Sequence, residues 1–224
     1  MINLNQRNLS LAAGMAAAVA LTAGALIAST ARAETGLPVG QPAPDFTATD
    51  THGEEVSLSD FSGRTVVIEW TNEGCPFVRK HYAQPPGNMQ GLQADAAADG
   101  TVWLTVISSA PGMQGHVDAE TANQWTEEHH AAPAHILLDP DGTLGRLYKA
   151  KTTPHMFVIG PQGRVVYQGA IDSLASANVA DISTATNYVR EALTSLTAGE
   201  PVGVGRRSDV VERVPRRAAG IVGI

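Results

Sequence analysis

Cys75 is the only cysteine in the 224 residues, and its surroundings suggest chemistry more than packing. It sits in Trp70-Thr71-Asn72-Glu73-Gly74-Cys75-Pro76-Phe77-Val78, after an apolar run and directly before a proline. Proline favours the first turn of a helix, so Cys75 falls at a helix start. Orphan backbone N–H groups and the helix dipole favour an anion there, and a thiolate is such an anion. Cysteines in that position ionise more readily than free ones and become nucleophiles. Arg79 follows four residues on, where it shares the cysteine's face and adds positive charge. Lys80 and His81 point elsewhere on an ideal helix. A lone cysteine is otherwise a small buried hydrophobe, and the strand–loop–Cys-Pro–helix order is what favours the reactive reading.

Thr152-Thr153-Pro154 stands far along the chain, directly before an apolar strand-like run. A proline opening a strand is ordinary by itself. It gains meaning beside a Cys-Pro at an earlier helix start. Glu69 reads as a core-edge salt-bridging acid or a proton shuttle near Cys75. His129, His130 and His135 are weak metal candidates. Neighbouring residues on a helix point about 100° apart, and no cysteine or paired carboxylate completes a set, so no metal site is expected.

The elements that must position these groups follow from periodicity and punctuation. Residues 37–61 are loop-like, with a short strand or hairpin around Glu54 to Leu58. The β-branched run Thr65 to Trp70 reads as a buried strand, bounded by Gly63 before and Gly74 after. A helix begins at Pro76 and breaks near Pro85-Pro86-Gly87, and a second covers Asn88 to Ala98. Thr101 to Ser108 is another buried strand. Asp118 caps a helix reaching His130, since its side chain can accept from the first free N–H groups. His135 to Leu138 is a short strand and Asp139-Pro140-Asp141-Gly142 a turn. His155 to Ile159 and Arg164 to Gln168 make a hairpin across Gly160-Pro161-Gln162-Gly163. A helix over Asp181 to Leu196 closes the domain. Strands alternating with helices, then a hairpin and a last helix, imply an α/β three-layer sandwich with a mixed central sheet.

The first 33 residues stand apart. Arg7, the apolar stretch Leu9 to Ala28 and Ala31-Arg32-Ala33 follow the order of a secretory signal peptide. An uncleaved anchor is the other reading, and the small-residue site favours cleavage. The mature chain is then expected to be periplasmic or secreted, with no membrane association. Two of the 15 Lys and Arg fall in the leader, leaving 13 against 22 acids, a net charge of −9 on 191 residues. An acidic surface excludes nucleic acid as a partner, because phosphates need a basic face. One cysteine allows no internal disulfide. It is inert, paired with another molecule, or a reactive thiol.

Three segments carry a family resemblance. Gly40-Gln41-Pro42-Ala43-Pro44-Asp45-Phe46, Asp50-Thr51-His52-Gly53 and Leu58-Ser59-Asp60-Phe61-Ser62-Gly63-Arg64 resemble the opening of redoxins. These are thioredoxin-like proteins that include the alkyl hydroperoxide reductase and thiol-specific antioxidant (AhpC/TSA) types. Glu69-Trp70-Thr71-Asn72 with Cys75-Pro76-Phe77-Val78-Arg79-Lys80-His81-Tyr82 resembles an exported bacterial subgroup. The resemblance runs from about Gly40 to Pro201, which sets the domain at 34–201 and leaves 202–224 as a disordered or divergent tail. It implies a thioredoxin-like fold, with Pro154 as the family's cis-proline facing Cys75.

The chain departs from the family in three places. Val78 stands where thioredoxins place a resolving cysteine. Asn72 and Ile68 stand where peroxiredoxins carry Thr and Pro, and Thr71 is the nearest substitute. The Arg-rich ending Gly205 to Ile224 replaces the subgroup's short cysteine-containing tail. The implied activity is a thiol-dependent oxidoreductase reducing peroxide through Cys75, with an external thiol as reductant. Thr71, Arg79, Thr153 and Pro154 would support Cys75, and no cofactor is implied. Two alternatives remain open: thiol–disulfide exchange with a partner protein thiol, and a non-catalytic binding module.

Overall fold

The computed structural model describes residues 37–85, 87–202 and 206–207. The expected leader and its cleavage site lie outside them, as does nearly all of the expected tail. The two β-branched runs form neighbouring interior strands, β3 (Val66–Trp70) and β4 (Val102–Ile107). They pair in parallel, Val67 opposite Trp103 and Trp70 opposite Val106. Around them stand β5 (His135–Leu138), β6 (His155–Ile159) and β7 (Val165–Gly169). A two-residue β8 (Arg206–Arg207) pairs in parallel with Gln168 and Gly169. The spatial order is β5-β4-β3-β6-β7-β8, with β6 antiparallel to both β3 and β7. The sheet is mixed, as the element order implied.

Each sheet face carries its own apolar layer, which makes the expected three-layer α/β sandwich. Because strand side chains alternate, Val66, Ile68 and Trp70 lie on one face and Val67 on the other. The first face packs Phe157, Leu144 and Tyr148 with Phe46, Val56 and Leu58. Val56 lies in, and Phe46 and Leu58 flank, a hairpin of β1 (Thr47–Thr49) and β2 (Glu55–Ser57), so the strand expected near Glu54 has a partner upstream. The second face is covered by α1 (Pro76–Tyr82), α2 (Asn88–Ala98) and α5 (Tyr188–Thr197) through Val78, Tyr82, Leu92, Val189 and Ala192. Cys75 belongs to this layer. α3 (Ala119–Glu128) starts on Asp118, whose carboxylate accepts from the Thr121 N–H at 2.8 Å.

Two expectations need correction. The closing helix does not begin at Asp181. Residues Val179–Ser183 make a 3-10 turn, and α5 starts only after Asn187, whose side-chain oxygen accepts from the Arg190 N–H. A further helix, α4 (Thr143–Tyr148), follows the turn at Gly142. Its first turn hangs on buried Asp139, which accepts from the N–H groups of Leu144 and Gly145.

Candidate active site

Strands β3 and β4 end at the same edge of the sheet where antiparallel β6 begins. The segments that follow Trp70 and Ile107 therefore meet the segment that precedes His155. This convergence brings Cys75 to Thr153 across 78 residues of chain. Cys75 caps α1 from an extended backbone conformation, and Pro76 is the first helical residue. Its thiol donates to the Thr153 carbonyl at 3.1 Å. The Thr153–Pro154 peptide bond is cis, as the resemblance implied.

Cys75 is only 1 % exposed, although Gly74 and Pro76 on either side of it are exposed. The sulfur therefore lies one layer below the surface. The Thr153 hydroxyl is buried and has no hydrogen-bond partner. The Thr71 hydroxyl is also buried without a close partner, on the side of the Glu69 carboxyl.

Arg79 is exposed, and its Nε donates to the Glu73 carbonyl at 2.8 Å. It braces the loop that carries Cys75. Lys80 and His81 do turn away, as helix geometry required. Lys80 Nζ meets Asp172 Oδ2 at 2.7 Å and the Leu174 carbonyl at 3.1 Å. His81 Nε2 lies 3.7 Å from the same carboxylate, and burial lowers its pKa to about 4 despite that charge.

Glu69 is not a core-edge salt bridge. It is completely buried and its neighbours are neutral donors: the Tyr82 hydroxyl at 2.9 Å and the Trp103 indole N–H at 3.0 Å. Loss of water raises its pKa to about 7, and the donors limit the rise.

A long-range contact absent from the sequence reading holds the cysteine loop. Asn72 Nδ2 donates to Gln114 Oε1 at 2.8 Å, and Gln114 Nε2 returns a bond to Asn72 Oδ1 at 2.9 Å. Asn72 Oδ1 also accepts from the Gly74 N–H, and the Asn72 carbonyl accepts from the Cys75 N–H.

The histidines do not gather as a metal set. Among the described residues, His135 groups instead with Asp50 and Glu54, with one possible ligand atom from each lying within 4.8 Å of the others. The Asp50 oxygens already accept from the N–H groups of His52 and Glu54 and pair with His135 Nδ1 at 2.9 Å. That is the bonding of an Asp-stabilised turn.

The fold is shared with a structure of an uncharacterised conserved protein from Geobacillus kaustophilus. The two are 24 % identical, with 76 % of this chain and 87 % of that one covered and a TM-score of 0.63. A hypothetical protein from Sinorhizobium meliloti 1021 is similar at 20 % identity, covering 76 % and 92 % of the two chains, with a TM-score of 0.62. Among curated proteins, none matches this sequence. The AhpC/TSA family model matches residues 39–168. That span takes in the opening segment, the Cys75 loop, Thr153 and Pro154, and it is more than half of the 224 residues. The chain belongs to the AhpC/TSA family.

Proposed function

We propose that this protein is a thiol-dependent oxidoreductase that reduces peroxides through Cys75, with an external thiol as reductant. One observation carries the reading: the Cys75 sulfur lies at the carbonyl of Thr153, a residue whose own hydroxyl is buried without a partner. A buried polar group without a partner is costly, and at a reactive site it is a place for a substrate atom.

In the first step the Cys75 thiolate attacks one peroxide oxygen. The O–O bond breaks, the sulfur becomes a sulfenic acid, and the other oxygen leaves as an alcohol or water after taking a proton. An external thiol then condenses with the sulfenic acid, releasing water and leaving a mixed disulfide. A second thiol restores Cys75 and departs as a disulfide. In this reading the Thr153 and Thr71 hydroxyls orient the peroxide, Pro154 shapes the opposite wall, and Arg79 keeps the loop in place. With Val78 in the position of a resolving cysteine, both reducing equivalents come from outside the chain. The leader supports an exported address for this activity, periplasmic or secreted.

Cys75→Ser should abolish thiol-dependent peroxide consumption, and undiminished turnover in the variant would overturn the reading. The burial of Cys75 favours a second reading, a thioredoxin-fold binding module whose cysteine only packs. Alkylation of Cys75 as a function of pH separates the two. A thiol that reacts in the folded protein and yields a trapped sulfenic acid after dilute peroxide supports the enzyme. A thiol silent until the chain unfolds supports the binding module.

A further inference from the structure

The Asn72–Gln114 contact joins two segments that are each shaped to receive the other. Gly74 precedes Cys75, and a Cβ there would lie 1.9 Å from Gln114 Nε2, so a side chain at this position would displace the amide from where it sits. Gly115 follows Gln114, and a Cβ there would lie 2.3 Å from Asn72 Nδ2. Gly115 also holds φ at +86°, a conformation that favours glycine. Each amide thus sits over the other segment's glycine, and two reciprocal hydrogen bonds fasten them. The segment 109–116 closes on itself as well, since His116 Nδ1 bonds the Ser109 carbonyl and the Met113 N–H donates to Ala110. Gln114 is exposed, so this clasp faces solvent over the loop whose last residue is the buried thiol.

We propose that Gln114 is a specificity-determining residue: its clasp on Asn72 admits small hydroperoxides and low-molecular-weight thiols to Cys75 and excludes protein thiols and protein disulfides. The proposal rests on Cys75 being the reacting thiol and narrows the substrate class at both steps. A peroxide oxygen needs only a gap of atomic width to reach a sulfur one layer down. A protein thiol brings backbone on both sides, and the segments must part before it can approach. The Thr153 hydroxyl, buried without a partner on the residue whose carbonyl holds the sulfur, would give a small oxidant a partner once inside.

Because Cys75 is the sole cysteine, thiol labelling reads this access without ambiguity. Labelling rates of the folded chain would be compared for iodoacetamide and for a maleimide carried on a long polyethylene glycol, in wild type, Gln114→Ala and Asn72→Ala. Loss of the two neutral amide bonds should speed the bulky reagent by roughly tenfold in Gln114→Ala, and by at least as much in Asn72→Ala, which also loses the bond from the Gly74 N–H. The iodoacetamide rate should change less than about twofold, because the small reagent does not require the loop to part. Thermal midpoints measured alongside identify any variant that has simply loosened. Equal acceleration of both reagents, or of neither, overturns the proposal. Labelling measures access and not turnover, so its result is independent of the Cys75→Ser assay that tests the catalytic reading.

Discussion

Tyr82, on the last turn of α1, reaches back across the second layer to Glu69 on β3 and places its hydroxyl 2.9 Å from both carboxyl oxygens. The helix that begins at Cys75 is thereby tied to the strand that ends at Trp70. The donors are neutral and the carboxyl is fully buried, so loss of its hydration raises its pKa to about 7.

Stability should register this carboxyl. Its folded pKa of about 7 lies above the unfolded value of 4.5, so between those values the folded chain holds a proton that the unfolded chain has released. The contribution is complete below pH 4.5 and is lost as pH rises to 7, a change on the order of 3 kcal/mol. Gln at this position keeps the acceptor oxygen without the titration. Urea denaturation of Glu69→Gln and wild type should show the difference moving in the variant's favour as pH rises from 4.5 to 7, then levelling. A difference that does not change with pH would mean the carboxyl is not held protonated.

Two buried histidines act in the opposite direction. Burial lowers both His81 and His155 to about 4 from 6.5, so the unfolded chain takes up protons between these values that the folded chain refuses. Their contribution is complete above pH 6.5 and disappears as pH falls to 4. With Glu69 cancelling one proton of two, stability should climb by about 1.4 kcal/mol per pH unit from 4.5 to 6.5. His155→Leu removes one of the two and should bring that limb close to flat in a denaturation series. An unchanged slope would show that His155 does not titrate there.

The sheet and the first helix were legible because their signals are local. Thr65 to Trp70 is β-branched and bounded by glycines, Pro76 marks a helix start, and Asp118 has the side chain to cap one. α4 is only six residues long and contains Gly145, and its anchor is Asp139, a turn residue whose carboxylate looks forward to Leu144 and Gly145. No period can appear in so short a stretch. α5 starts later than the sequence pattern predicts, because Asn187 acts as a cap inside an otherwise continuous pattern. The approach of Cys75 to Thr153 and the cis bond at Pro154 were legible through their chain settings. Gln114 was not, since it lies in an irregular Pro- and Gly-containing segment and meets Asn72 only through the fold.

Lys80 shows the same limit, because a lysine on a short helix is ordinarily exposed. Here it is 1 % exposed, and Asp172 supplies its counter-charge and anchors the loop after β7 against α1. Asp172→Asn leaves the ammonium buried without a full partner and should cost about 3–5 kcal/mol in a denaturation experiment. Replacing both as Lys80→Met and Asp172→Leu should recover most of that loss, because the pair's attraction largely offsets its own desolvation. A double variant as unstable as the single one would show that the ion pair itself, and not an orphaned charge, holds the loop.

Thr153→Val separates fold from chemistry most directly. The hydroxyl has no partner in the folded chain, so exchanging it for a methyl of similar shape removes a buried polar group that earns nothing structurally. Stability should hold or rise by up to about 1 kcal/mol. The backbone carbonyl on the Cys75 sulfur remains, and so does the packing of that wall. If the hydroxyl orients the peroxide, sulfenic acid formation at Cys75 should slow by about tenfold or more, the loss of one positioned hydrogen bond in the transition state. Stopped-flow oxidation under single-turnover conditions, paired with thermal denaturation, reads both effects. A variant that is less stable and oxidises at the wild-type rate would assign Thr153 to the core and leave the peroxide to be oriented by another group.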